Sequence, residues 1–282
     1  MIFELSLGFI VSLIVVAFFC EYIDSTLGMG YGTTLTPLLL IVGYNPLQIV
    51  PVVLISELFS GLLAGFLHHR EGNVDLKPKT LDIYIIGRKL KELGCIECYK
   101  RGVPKHLKVA LLLALCSIVG TVAAVFLAVN LPKLWIKLYI GVLVLAMGVT
   151  IIICFNKSFK FSWKKIVGLG LLASFNKGVS GGGYGPVVTS GQILSGVEGK
   201  SAVGITSLAE GLTCAVGIIT YIFVSHKPLD LRLAPFIIVG AILSVPFSAK
   251  SVKKITEKKI KIAIAILTIV LGAFTLIKTV SG

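Results

Sequence analysis

The segment Gly28-Met29-Gly30-Tyr31-Gly32-Thr33-Thr34-Leu35-Thr36 returns 153 positions later as Gly181-Gly182-Gly183-Tyr184-Gly185-Pro186-Val187-Val188-Thr189. The register runs without a gap to Glu57 and Glu210. Eight of its thirty positions are identical: Gly28, Gly30, Tyr31, Gly32, Thr36, Gly43, Val50 and Glu57. Most are glycines or polar residues, so the match is not the Leu/Ile background that any two apolar segments share. A duplicated apolar segment broken by glycine points to the central site of a membrane transporter. It also restricts the fold to two like halves, residues 1–156 and 157–282.

The chain is 56% hydrophobic and 14% charged, against about a quarter charged for an ordinary soluble domain. Leu5–Tyr22, Leu47–Leu67, Leu107–Val129, Leu134–Phe155, Ala202–Val224, Leu233–Ala249 and Ile260–Ile277 are long enough, or nearly so, to cross a bilayer. Tyr31–Val42, Lys165–Phe175 and Tyr184–Ser195 are too short to cross comfortably. The first run lacks a basic leader and reads as a retained helix, not a cleaved signal.

A net charge of +14 invites a nucleic-acid partner, but the distribution argues for topology instead. With ten segments crossing alternately, 21 of the 27 Lys and Arg fall in loops on one side and 5 on the other, with Lys177 between segments. Basic loops stay in the cytoplasm. The expectation is a multi-pass protein of the cell membrane with loop 68–106 cytoplasmic and both termini outside. The six cysteines form no disulfide framework: Cys20, Cys116, Cys154 and Cys214 lie in apolar helices. Cys95 and Cys98 make one Cys-x-x-Cys in the basic loop, a weak metal or redox candidate beside the plainer reading of a reduced turn.

Each half holds five segments in matching order: a short or broken pair, a helix with a mid-span Glu, then two ordinary helices. A polar tail follows the Glu helix in both, Gly72-Asn73-Val74-Asp75-Leu76 and Lys227-Pro228-Leu229-Asp230-Leu231, at a shift of 155. Five is odd, so the second half must enter from the opposite side. The expected fold is an all-α integral membrane protein of two inverted-topology repeats.

An arm of 11–12 residues rises only about 17 Å as a helix, about half the hydrocarbon core. Two such arms joined by Lys177–Gly183 describe a re-entrant hairpin turning near the midplane; the first half looks similar at Asp24–Gly30, with a longer leading arm. Irregular backbone at that depth is tolerated only where it is buried in protein or lines a cavity. A helix should start near Tyr31 and near Tyr184, with Pro186 in a first turn that tolerates it. Helix N-termini favour anions. The expected binding cradle is therefore Gly28, Gly30, Tyr31, Gly32, Thr33 and Thr34 with Asn176, Lys177, Ser180, Gly181, Gly182, Gly183, Tyr184 and Gly185. Ser25 and Thr26 add hydroxyls. Tight helix packing is the competing use of the glycines.

Asp24 and Lys177 are equivalent under the shift. They could pair across the axis, divide anion attraction and gating between them, or be solvated at the tips. Glu57 and Glu210 sit mid-helix among small residues, with coupling or structural support, such as capping the broken helix, as alternative roles.

Asp24 through Pro37 resembles the first signature of the sulfite exporter TauE/SafE family of anion permeases, and Ser180 through Pro186 its second glycine signature. Gly72-Asn73-Val74-Asp75 resembles the family's post-helix segment. Tyrosine after the glycines is a variant form, and the loop with Cys95 and Cys98 lies outside the core pattern. The resemblance covers essentially the whole chain. It implies a permease for sulfite, sulfonates or related sulfur-containing or organic anions, coupled to a proton or ion gradient. We therefore expect no enzyme activity, no cofactor and no metal; the partners are a small anion and the bilayer, with homo-oligomerisation open. The alternatives are a membrane-embedded sulfur or redox protein using Cys95-Cys98, and an anion channel.

Overall fold

The computed structural model describes residues 6–78, 102–153, 162–194, 197–225, 228–252, 254 and 257–281. Cys95, Cys98 and Cys154 lie outside the described residues. Among those described, every regular element is a helix: α1 (Leu7–Leu27), α2 (Tyr31–Val42), α3 (Pro46–Arg70), α4 (Lys105–Asn130), α5 (Lys133–Ile153), α6 (Trp163–Ser180), α7 (Tyr184–Leu194), α8 (Gly199–Val224), α9 (Ala234–Ser251) and α10 (Glu257–Ser281). Six of them are long and apolar enough to cross a membrane: α1, α3, α4, α5, α8 and α9.

Local signals set the boundaries. Ser6 Oγ accepts from Phe9 N to start α1, and Pro46 at the first turn starts α3, with Gln48 Oε1 accepting from Asn45 N. Both glycine tips stop a helix through a left-handed residue, Gly28 at φ 70° and Gly181 at φ 71°, each returning its N–H to the carbonyl four residues back. Glycine reaches that conformation without the Cβ penalty. α2 and α7 then begin at Tyr31 and Tyr184, as expected from the sequence, and Pro186 falls in the first turn of α7.

The leading arms differ from expectation. α6 has 18 residues, not the 11 of Lys165–Phe175, and α1 has 21. Asn176, Lys177 and Gly178 resemble a break in sequence but continue the helix, because their side chains and small volume are accommodated by neighbours rather than by a loop. Lys177 and Asp24 therefore sit inside helices, in or near their last turns, not on the connecting tips.

The helices pack in reciprocal pairs: α4 on α6 as α9 on α1, α4 on α8 as α9 on α3, and α7 on α5 as α2 on α10. α3 packs on α8 and α5 on α10. Exchanging the two halves maps this pattern onto itself. The post-helix tails repeat it in detail, since Asp75 Oδ1 accepts from Lys77 N and Asp230 Oδ1 from Arg232 N. On the second tail, hydrogen bonds from the Arg232 side chain hold the Asp230 carboxyl below its ordinary range.

Close crossings use small residues, which let backbones approach. Gly240 lies against the Ile14 carbonyl, Gly120 against Leu171, and Gly61 against Ser207 and Gly211 where α3 meets α8. Large apolar side chains face outward, among them Phe19, Phe66, Phe126, Phe223 and Phe247, as lipid contact requires. Trp135 and Trp163, near the starts of α5 and α6, are also exposed, matching the interfacial preference of tryptophan.

Candidate functional site

The two glycine tips meet. A side chain on Gly32 would collide with the Gly181 carbonyl and the Gly182 Cα, and one on Gly185 with the Gly28 carbonyl and the Met29 Cα. Gly32 and Gly185 are repeat equivalents, as are Gly28 and Gly181, so the crossing is the same contact made twice. Gly182 packs on the Gly32 carbonyl and Thr33 N in the same way. Thr189 Oγ1 donates to the Gly28 carbonyl at 2.6 Å and lies 2.9 Å from Thr206 Oγ1, to which Gln192 Nε2 donates. The expected cradle residues are thereby collected at one buried crossing: Gly28 to Thr34 from one tip, Ser180 to Gly185 from the other. The close packing expected as the competing use of these glycines is what the crossing displays.

The hydroxyls and amides are mostly engaged in holding the tips. Ser180 Oγ donates to the Asn176 carbonyl at 2.7 Å and accepts from Gly182 N at 3.0 Å. Asn176 Oδ1 accepts from Tyr139 Oη at 2.6 Å, and Thr33 Oγ1 donates to the Gly30 carbonyl. Thr26 Oγ1 donates to the Tyr22 carbonyl.

Charge is where the tips part company. Asp24 Oδ1 accepts from Tyr31 N at 3.1 Å, so the first helix N-terminus already has its carboxylate. Lys177 stands at the equivalent position of the second half, and no pairing with Asp24 is seen. Its Nζ lies 2.7 Å from Glu210 Oε1 and also pairs with Glu57 Oε2. Lys177 is completely buried and the two glutamates nearly so. The α3–α8 crossing at Gly61 brings the glutamates together, and α6 inserts the ammonium between them. Neither glutamate caps a broken helix; that task belongs to Asp24. Cys214 Sγ is 3.8 Å from Glu57 Oε2.

Removing the Asp24 carboxyl gives a modest, separable effect. Asp24→Ala should lower stability by about 1 kcal/mol, the usual cost of a lost helix cap, whereas Asp24→Asn keeps an acceptor and should lose less. Thermal unfolding in detergent measures both; equal losses would remove the cap from the account.

Several contacts at this place were not foreseen from the sequence. Glu21, one turn before Asp24, is buried and accepts from Ser60 Oγ at 3.0 Å. Tyr31 Oη and Ser56 Oγ are 2.7 Å apart. His68 Nε2 donates to the Ser25 carbonyl at 2.8 Å, while Asn73 Nδ2 donates to His68 Nδ1 and to the Ala249 carbonyl, tying α1, α3 and α9 together. A carboxylate at i and i+3 within one apolar helix is a readable signal for Glu21; the His68 bridge has none. Beside that bridge a cavity of about 660 Å³ opens between His69, Asn73, Asp75, His106, Lys200 and Ser201.

Comparison with known proteins agrees with this architecture. The chain is 27% identical over 271 residues to the "Probable membrane transporter protein YtnM" of Bacillus subtilis (strain 168), covering 91% of this chain and 79% of that protein. No solved structure matches it. Residues 13–86 and 93–275 match the family described as Sulfite exporter TauE/SafE. With both glycine tips, the buried charges and nearly the whole chain inside those limits, this protein belongs to the sulfite exporter TauE/SafE family.

Proposed function

We propose that the protein is a permease that carries a small oxyanion, such as sulfite or a simple sulfonate, by alternating access driven by a proton or ion gradient. The observation that carries this reading is the asymmetry of the two tips. At the first, Asp24 occupies the positive end of α2. At the second, the equivalent residue is a buried lysine paired with Glu57 and Glu210, so the start of α7 has no carboxylate from that position. An oxyanion is the ligand such a helix start favours. The second tip, Asn176 to Gly185, is then the substrate cradle and the first tip its rigid counterpart.

The two halves are proposed to be inverted repeats, 1–156 and 157–282. The reciprocal helix packing and the twice-made tip contact support this. The basic loops, including 68–106, lie in the cytoplasm and the termini outside. The cavity lined by His69, Asp75, His106, Glu198 and Lys200 belongs to the cytoplasmic side.

Purified protein in liposomes should move at least one of sulfite, sulfate, thiosulfate and methanesulfonate, with a rate that saturates. A linear dependence on concentration would identify a channel instead, and no movement of any of them would overturn the reading. Cys95→Ser with Cys98→Ser should leave uptake unchanged within about twofold. Loss of activity in that double variant would favour the redox alternative.

A further inference from the structure

Lys177 is held by one carboxylate from each half of the chain. A third carboxylate, Asp24, brings an oxygen within 4.8 Å of oxygens of both glutamates. Several titratable groups face this point. α1 contributes Cys20, Glu21 and Asp24, and α2 contributes Tyr31. α3 contributes Glu57, α7 contributes Tyr184, and α8 contributes Glu210 and Cys214; all are buried. His68 on α3 is buried too, but turned to the Ser25 carbonyl. Four carboxyl groups thus stand against one ammonium, which would leave three uncompensated negative charges if all were ionised. Isolated buried charges are so costly that such groups are neutralised instead.

A metal cation is a poor neutraliser here, because the ammonium already sits on two of the three carboxylates that would ligate it. Protons are not excluded in that way. A second observation leaves room for a proton on each glutamate and for one hydroxyl donor at the same place. Glu57 Oε1, Glu210 Oε2 and the Tyr184 hydroxyl are buried without a hydrogen-bond partner among the described residues. Tyr31, the repeat equivalent of Tyr184, uses Ser56 beside Glu57. The position equivalent to Ser56 is Ala209 beside Glu210, so Tyr184 lacks that partner. Its hydroxyl stands beside Thr213, whose own Oγ1 donates to the Ala209 carbonyl.

We infer that Glu57 and Glu210 form a proton-coupled lock on Lys177, so that an anion is carried together with at least one proton in the same direction. The anion reaches the ammonium only by displacing a carboxylate. That carboxylate takes a proton from the side the anion came from and stays in the membrane as the neutral acid. The anion brings one negative charge, the proton one positive charge, and Lys177 keeps its own. On release the proton leaves, the carboxylate re-forms its pair with Lys177, and the lock resets. The Tyr184 hydroxyl then supplies a hydrogen bond to the anion that neither glutamate uses.

The inference rests on the permease reading, and one experiment separates the two. Liposomes with an entrapped pH dye are given methanesulfonate, which stays ionised throughout the working range. Uptake should acidify the lumen, be driven by an inward proton gradient, and persist when sodium is replaced by choline. Wild-type affinity should rise by up to about tenfold per pH unit on acidification, as linkage to one proton requires. Glu57→Gln with Glu210→Gln should flatten that slope and abolish substrate-driven proton entry. A single elution peak in detergent separates these effects from misfolding, and single Gln variants provide the same readout if the double variant fails to elute as one. Methanesulfonate uptake without proton entry, a requirement for sodium, or an unchanged pH slope in the Gln variants overturns the lock while leaving the permease reading intact. If neither methanesulfonate nor sulfite, sulfate or thiosulfate moves, both fail.

Discussion

Lys177→Ala should abolish anion uptake and make the protein markedly less stable, the larger of the two effects expected from any single side-chain removal. The ammonium is fully buried and is the partner of two carboxylates, Glu57 and Glu210. Deleting it leaves both without a counter-charge at the α3–α8 crossing. Removing one partner of a buried ion pair costs about 3–5 kcal/mol, which in a chain of this size lowers the unfolding temperature by on the order of 10 °C. Stability and transport can be separated. Lys177→Met combined with Glu57→Gln and Glu210→Gln removes the orphaned charges, so thermal stability in detergent should recover most of the loss. Uptake should not recover, because the attracting charge is still missing. Recovery of both would make the lysine a structural counter-ion only. Recovery of neither would place the defect in the packing of α6.

Where each tip ends and the next helix begins was legible, because glycine at positive φ and a proline in a first turn are local properties. Gly28, Gly181 and Pro186 therefore placed α2 and α7 correctly. The mid-helix glutamates were also legible as a pair, since the small residues around them, Gly61 among them, announce a close crossing. The partner of Lys177 was not. The repeat made Asp24 its natural counterpart, but the fold answers with Glu57 and Glu210, which lie 120 residues before it and 33 residues after it. A shift in sequence relates positions that are equivalent, not positions that touch, and in a two-fold arrangement those differ. The length of α6 was misread for a related reason. Asn176-Lys177-Gly178 has the composition of a break, yet Tyr139 holds Asn176, the glutamates hold Lys177, and Gly178 packs on Ala124. Tertiary partners, invisible in the segment itself, keep it helical.

Gly32→Ala should be damaging out of proportion to the one methyl group it adds. The Cβ would be built onto the Gly181 carbonyl and within 2.8 Å of the Gly182 Cα, both backbone atoms that cannot rotate aside. Relief requires the tips to separate, which opens the reciprocal Gly185–Gly28 contact and withdraws Thr189 from the Gly28 carbonyl. Overpacking of a single site costs about 1–3 kcal/mol, and more where the backbone must move. The functional cost should be larger still, because the crossing aligns the second tip with Lys177. Gly168→Ala is the matched control. It lies within α6 with open space around it, and alanine there should be neutral or stabilising by up to about 1 kcal/mol. Thermal unfolding and methanesulfonate uptake of the two variants should diverge, with Gly32→Ala at least tenfold slower than wild type and Gly168→Ala within about twofold of it. Normal uptake by Gly32→Ala would mean that the tips do not meet during transport, and would detach the glycine repeat from the site altogether.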